Sequence, residues 1–150
     1  MLSQIEADLL ISENKLFEDN SNIVITGSKP KIQKTIRSKN SNEEFILNIE
    51  RGRINLSKVK YQTRHKRTNS ILLRIDTSGP RHQNPDGTFV SCPHIHIYKE
   101  GAGFLGDKWA YPLDQKIFSD VHNCCQLLKD FLIYFNVEEI PVIISEERLI

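Results

Sequence analysis

The segment Cys92-Pro93-His94-Ile95-His96-Ile97-Tyr98 constrains this chain more than any other. Isoleucine alternates with histidine, and residues two apart on a strand share a face. The pattern therefore predicts a β-strand on which His94 and His96 project side by side. Their Cα atoms then lie roughly 6.5 Å apart, at about 3.3 Å of rise per residue. Two imidazoles at that spacing reach one tetrahedral ion at about 2.0–2.1 Å from each nitrogen. That is the chemistry of a metal site, with zinc the expected ion.

Two more residues complete the expected set. Cys92 shares the parity of the histidines, yet on a straight strand it would lie about 13 Å from His96. Pro93 answers this, because proline favours strand starts and bulges, where a bend swings the thiolate inward. His82 precedes Asn84-Pro85-Asp86-Gly87, a turn signal with proline second and glycine fourth. The turn folds His82 back, and the expected ligands are His82, Cys92, His94 and His96. Asp76, Asp86 and Asp107 are the carboxylate substitutes if one of the four is not a ligand. Four protein ligands would close the site, whereas three would leave a position for water. The plain alternative is a strand whose polar face carries histidine, and no Cys-x2-Cys zinc spacing is present.

Register decides what shares the histidine face. Ile71-Leu72-Leu73-Arg74-Ile75-Asp76 reads as the partner strand. An ideal turn across residues 84–87 would set Ile75 opposite His96 and mix imidazole with the aliphatic core. A one-residue slip moves every side chain to the other face. It joins Ile95 and Ile97 to Ile71, Leu73 and Ile75, and leaves the histidines with Arg74 and Asp76. Each fully buried aliphatic is worth about 1.5–3 kcal/mol, so a bulge or a longer loop is expected.

Composition sets outer bounds. At 150 residues, with 39% hydrophobic and 26% charged content, the chain is expected to form a single domain, 1–150, with a real core. No apolar run approaches a membrane span and no basic leader opens the chain, so a cytoplasmic address is expected. Cys124 and Cys125 are adjacent on an expected helix, where a mutual disulfide is geometrically poor. The net charge of +1 hides a segregation: Lys29 to Arg74 holds thirteen Lys/Arg against three acidic residues. Such a segment suits a phosphate-bearing partner, or simply exposes cations on strand faces.

Elements follow from periodicity. Ser3-Gln4-Ile5-Glu6 is a capping box, and Leu2, Ile5, Leu9 and Leu16 predict a helix over 3–19. Residues 23–26 form a short strand, 31–37 are ambiguous, and 44–59 form a strand pair around Arg51-Gly52. Lys58–Arg67 is a strand or a loop. Residues 106–113 form a last sheet strand carrying Trp109 as an anchor, with Asp107 placed to orient an imidazole. Ser119 caps a helix with an apolar stripe through Val121, Cys124, Cys125, Leu128, Phe131, Leu132 and Phe135, which leaves His122 solvated. A strand at 142–144 ends the chain. The fold class is α+β: a twisted antiparallel sheet, open or curled toward a barrel, with an N-terminal and a C-terminal helix packed on it.

Leu73–Leu113, with His82-Gln83-Asn84-Pro85-Asp86-Gly87, Cys92-Pro93-His94-Ile95-His96-Ile97-Tyr98 and Gly106-Asp107-Lys108-Trp109-Ala110-Tyr111-Pro112-Leu113, resembles small uncharacterised proteins of phages and prophages of Gram-positive bacteria. Arg51-Gly52-Arg53-Ile54-Asn55-Leu56 fits the same pattern. In size and expected metal content the chain is also similar to zinc-containing streptococcal anti-CRISPR proteins directed at Cas9. A more distant likeness is to small toxins with Pro-His-x-x-His-like segments.

Three functions follow as expectations. The first is a phage-encoded inhibitor that binds a host nuclease such as Cas9 or its guide complex, its zinc structural. The second is a small ribonuclease, with His94 or His96 as acid or base and Arg64, Lys66 or Arg74 stabilising phosphorane charge. The third is a nucleic-acid-binding module built on residues 29–74.

Overall fold

Among the described residues, seven strands form one continuous antiparallel sheet. The computed structural model describes residues 1–53 and 58–146. Along the chain come α1 (Gln4–Ser12), β1 (Lys15–Phe17), β2 (Ile23–Thr26), β3 (Lys31–Ser38), β4 (Glu44–Arg51), β5 (Val59–His65), β6 (Ile71–Asp76) and β7 (His82–Gln83). Then follow β8 (Phe89–Val90), β9 (His94–Ile97), β10 (Ala110–Pro112), α2 (Cys124–Tyr134) and β11 (Ile143–Glu146). The large sheet runs β1-β3-β4-β5-β6-β9-β10, with every neighbour antiparallel. It does not close into a barrel. β2 and β11 pair in parallel, and β7 and β8 form a separate small hairpin.

The sheet buries one face. Phe45, Leu47 and Ile49 on β4, Tyr61 on β5, and Leu73 and Ile75 on β6 are at most 1% exposed. α2 covers them with Leu127, Leu128, Phe131 and Leu132. The Phe45 and Phe135 rings meet edge-on at 5.3 Å between centroids, and the Tyr61 hydroxyl donates to the Cys124 carbonyl at 2.9 Å. The register of β6 against β9 is Leu73↔Ile97, Arg74↔His96, Ile75↔Ile95 and Asp76↔His94. Aliphatics therefore pair on the core face and polar residues on the other, as the burial argument requires. The connection that permits this register is the long loop holding the β7–β8 hairpin.

Several boundaries differ from the sequence expectation. The capping box at Ser3 and Glu6 forms, but α1 ends at Ser12 rather than near residue 19. Lys15–Phe17 instead pairs with β3 as an edge strand, so hydrogen-bonding to the sheet overrides the helical leucine spacing. The helix turns Ala7 and Leu10 inward and leaves Ile5 and Leu9 exposed. α2 starts later than Ser119, because Asn123 caps it by accepting from the Cys125 and Gln126 amides at 3.1 Å. Residues 31–37 belong to β3, and 59–65 to β5. The expected strand Phe89–Tyr98 is split in two around Cys92-Pro93. The second half of the strand pair at Arg53–Ser57 falls largely outside the described residues. Among the described residues, no helix is long and apolar enough to cross a membrane.

Lys15 is buried at 0% exposure. Its ammonium donates to the carbonyls of Ile11, Glu13 and Phe135, each at 2.8 Å. Those carbonyls belong to the C-terminal ends of α1 and α2, where a cation is electrostatically favoured. The charge also lies 4.0 Å from the Phe135 ring centroid. Burial works the other way, pushing the lysine down to about 7. Only an ammonium carries three protons for three carbonyls, so the charged form is the one this geometry holds.

Candidate metal centre

β6 and β9 place Arg74, Asp76, His94 and His96 on the polar face of the sheet. His94 and His96 are 3% and 1% exposed. Their Nε2 atoms lie 3.2 Å apart, and Asp76 Oδ2 stands 3.4 Å from each. These three donors form a near-equilateral triangle. An ion with tetrahedral bonds of about 2.0–2.1 Å keeps its donor atoms roughly 3.3–3.4 Å apart. The triangle thus has the dimensions of one face of a tetrahedral zinc site, and among the described residues it is the only such group of His, Cys and acidic donors.

At His96 the proton is placed to leave the ligand lone pair free. His96 Nδ1 donates to the Asp107 carbonyl at 2.8 Å, so its Nε2 is the bare nitrogen. Burial, joined by the Arg74 charge, pushes His96 below its ordinary value and favours the neutral ring. Burial would raise the Asp76 carboxyl, but the imidazoles of His94 and His96 beside it and the Arg74 charge outweigh it. They hold Asp76 far below the usual carboxylate range. A neutral imidazole and an ionised carboxylate are the forms a metal needs.

Arg74 occupies part of the same space. Its Nη2 donates to His96 Nε2 at 3.0 Å and its Nε to Asp76 Oδ2 at 3.2 Å. Its Nη1 donates to Asp107 Oδ2 at 2.8 Å, outside the triangle. Guanidinium and ion are therefore alternatives at two lone pairs. An ion displaces two contacts of Arg74, and Asp107 remains its counter-charge.

The structure brings together two of the four expected ligands, His94 and His96, and supplies Asp76 from among the expected substitutes. Cys92 turns toward the cluster but meets the other nitrogen of His94, with Sγ 3.6 Å from Nδ1. Burial and the Asp76 charge push its thiol up, so it faces His94 as an uncharged partner. His82 stands beside the cluster, its ring centroid 4.7 Å from that of His96. Its Nε2 donates to the Lys108 carbonyl at 2.7 Å, leaving Nδ1 as the acceptor, and it lies outside the set of mutually close donors. Asp107 does orient an imidazole, through its backbone carbonyl rather than its carboxylate. Asp86 caps its own turn by accepting from the Thr88 amide at 3.0 Å and hydroxyl at 2.6 Å. Of the other expected phosphate-stabilising residues, Arg64 lies on the same sheet face, two strands from β9, while Lys66 pairs with Glu44 at 3.3 Å.

The cluster closes one end of a cleft of about 570 Å³ that Lys31, Lys58, Lys60 and Arg81 also line. A polar cluster the sequence did not suggest lies elsewhere. Buried His65 bonds Thr68 Oγ1 at 2.7 Å through Nδ1 and the Glu43 carboxylate through Nε2. Arg67 holds the same carboxylate at 2.8 Å. All four stitch the turn after β5 to the start of β4, which is a structural task. Nothing in the spacing of these residues signals it, because Glu43 and His65 are brought together only by the β4–β5 register.

The model of a family of unknown function, DUF6978, matches residues 2–137. No curated protein and no solved structure matches the chain.

Proposed function

This chain belongs to that family of unknown function, and we propose that it is a metal-dependent phosphoester hydrolase whose ion, zinc by preference, is held by Asp76, His94 and His96. The observation that carries this reading is the donor triangle, 3.2 to 3.4 Å on each side, at the end of a cationic cleft. Three ligands leave a position open, which is the coordination of a catalytic rather than a structural zinc. The ion would supply a Lewis acid for a phosphoryl oxygen and acidify a water.

The chain's own residues do the rest. Lys58 and Arg81 draw an anionic substrate into the cleft. Arg74, anchored on Asp107, offers a guanidinium to the charge that develops on the phosphoryl oxygens. His82, with Nε2–H committed to the Lys108 carbonyl, presents Nδ1 as a proton acceptor beside the cluster. Zinc-loaded protein should hydrolyse bis(p-nitrophenyl) phosphate, and His94→Ala and His96→Ala should each abolish the rate. A rate unchanged by either substitution rules the reading out.

The near-complete burial of both imidazoles favours a second reading. In it the ion is structural and the chain acts by binding, as a phage-encoded inhibitor of a host nuclease such as Cas9 would in the host cytoplasm. Stoichiometric metal without hydrolysis, together with loss of Cas9 cleavage on mixing, would select this second reading.

A further inference from the structure

Two cross-strand rows run from the donor triangle across the polar face of the sheet. The first is His94–Asp76–Lys60–Glu50–Lys31 and the second His96–Arg74–Gln62–Asn48–Gln33, each made of directly paired residues of β9, β6, β5, β4 and β3. Neighbouring strands lie about 4.8 Å apart, so each row extends roughly 19 Å. Beyond the two buried imidazoles, all these side chains are exposed or half-buried. The cleft at the cluster and a second hollow of about 210 Å³, lined by Asn48, Glu50, Lys60, Gln62 and Arg64, share Glu50 and Lys60. One uninterrupted strip results.

The chemistry of the strip suits a polymer that alternates phosphate with hydrogen-bonding groups. Lys60 forms no hydrogen bond or ion pair among the described residues, although it stands directly across from Asp76. Arg64 donates to Asn48 Oδ1 at 3.4 Å and to Asn69 Oδ1 at 2.8 Å, both neutral partners. Its charge is therefore uncompensated. The amides of Gln33, Asn48 and Gln62 offer donors and acceptors between these cations. The surface is a sheet face without a helix to enter a duplex groove. It carries no aromatic side chain, so base stacking is not its mode of binding.

We propose that the strip is the track of a single-stranded nucleic acid, with phosphates on Lys60, Arg64 and Lys31 and one phosphodiester delivered to the His94–His96–Asp76 cluster. This rests on the hydrolase reading for its purpose, though not for its measurement.

The test is binding of a fluorescein-labelled single-stranded RNA oligonucleotide to the full chain in chelator, so that no turnover intervenes. Affinity should fall with salt at about 0.7 in log–log slope per phosphate contacted. Lys60→Gln with Arg64→Gln should weaken binding at low salt about tenfold and reduce the slope by about 1.4. Gln62→Lys, which adds a charge to the middle of the strip, should tighten binding and steepen the slope. The track is overturned if the double variant binds like the wild type, if Gln62→Lys changes nothing, or if the duplex form or polyglutamate of equal charge competes as well as the single strand. Zinc uptake is titrated separately, so a failed metal site is not confused with a failed track.

Discussion

Asp76 and His94 face each other across β6 and β9, and Asp76 Oδ2 lies 3.4 Å from His94 Nε2. This pairing exists because Ile75 and Ile95 pair on the opposite side of the same two strands. The apolar core sets the register, and the register assembles the donors. A one-residue slip of β9 would put His94 and His96 in the core and Ile95 and Ile97 on the polar face.

Arg74 gives the metal reading a sharp test. Its guanidinium competes with an ion for His96 Nε2 and Asp76 Oδ2, and it adds a like charge beside a dication. Arg74→Gln should therefore tighten zinc binding by at least tenfold in a chelator-competition titration. Phosphodiester turnover should fall about 100-fold, the usual order for one lost donor to a developing oxyanion. Weaker zinc binding in this variant would mean that Arg74 orients the ligands rather than competing with the ion.

Lys15 ties the ends of two helices with three hydrogen bonds. Lys15→Met keeps the length of the side chain but strands three carbonyls, that of Phe135 buried and those of Ile11 and Glu13 partly buried. The expected cost is about 3 kcal/mol, read from the urea midpoint at an unchanged m-value. A loss below about 0.5 kcal/mol would show that the carbonyls find other partners.

Cys125 supplies a pH dependence away from the cluster. Burial, then the neighbouring Cys124, pushes its thiol up from 9.0 to about 11. The folded chain holds this proton after an unfolded chain has lost it. Its contribution to stability is therefore complete below the unfolded value and declines as pH rises from there toward 11. The alkylation rate of Cys125 by iodoacetamide, followed by mass spectrometry, should rise through pH 9 without levelling. At pH 8 it should be about 100-fold below that of an unperturbed thiol, two pH units of thiolate fraction. A rate that saturates near pH 9 would contradict the burial described for this residue.

The sheet was legible where alternation was strict. Ile71–Asp76 and His94–Ile97 declare their faces in the sequence, and with them the neighbourhood of Arg74, Asp76, His94 and His96. The capping box of α1 was equally plain. The end of that helix was not, because Lys15–Phe17 is decided by hydrogen bonds to β3 and by an ammonium bonded to Phe135, 120 residues away. The exact donor set was also hidden. Parity places Cys92 with the histidines, but the strand is interrupted before His94 and the thiol arrives at Nδ1, the nitrogen on the far side of the ring. The β7–β8 hairpin brings His82 near yet spends one of its nitrogens on the Lys108 carbonyl. Such outcomes depend on ångström-scale paths of loops, which residue spacing does not encode.

The most direct test of the central claim is elemental analysis with zinc titration of untagged protein, beside His94→Ala, His96→Ala and Asp76→Asn. One zinc per chain is expected, lost in all three variants and retained in Cys92→Ser. No stoichiometric metal in the wild type, or full retention after loss of either histidine, would contradict it.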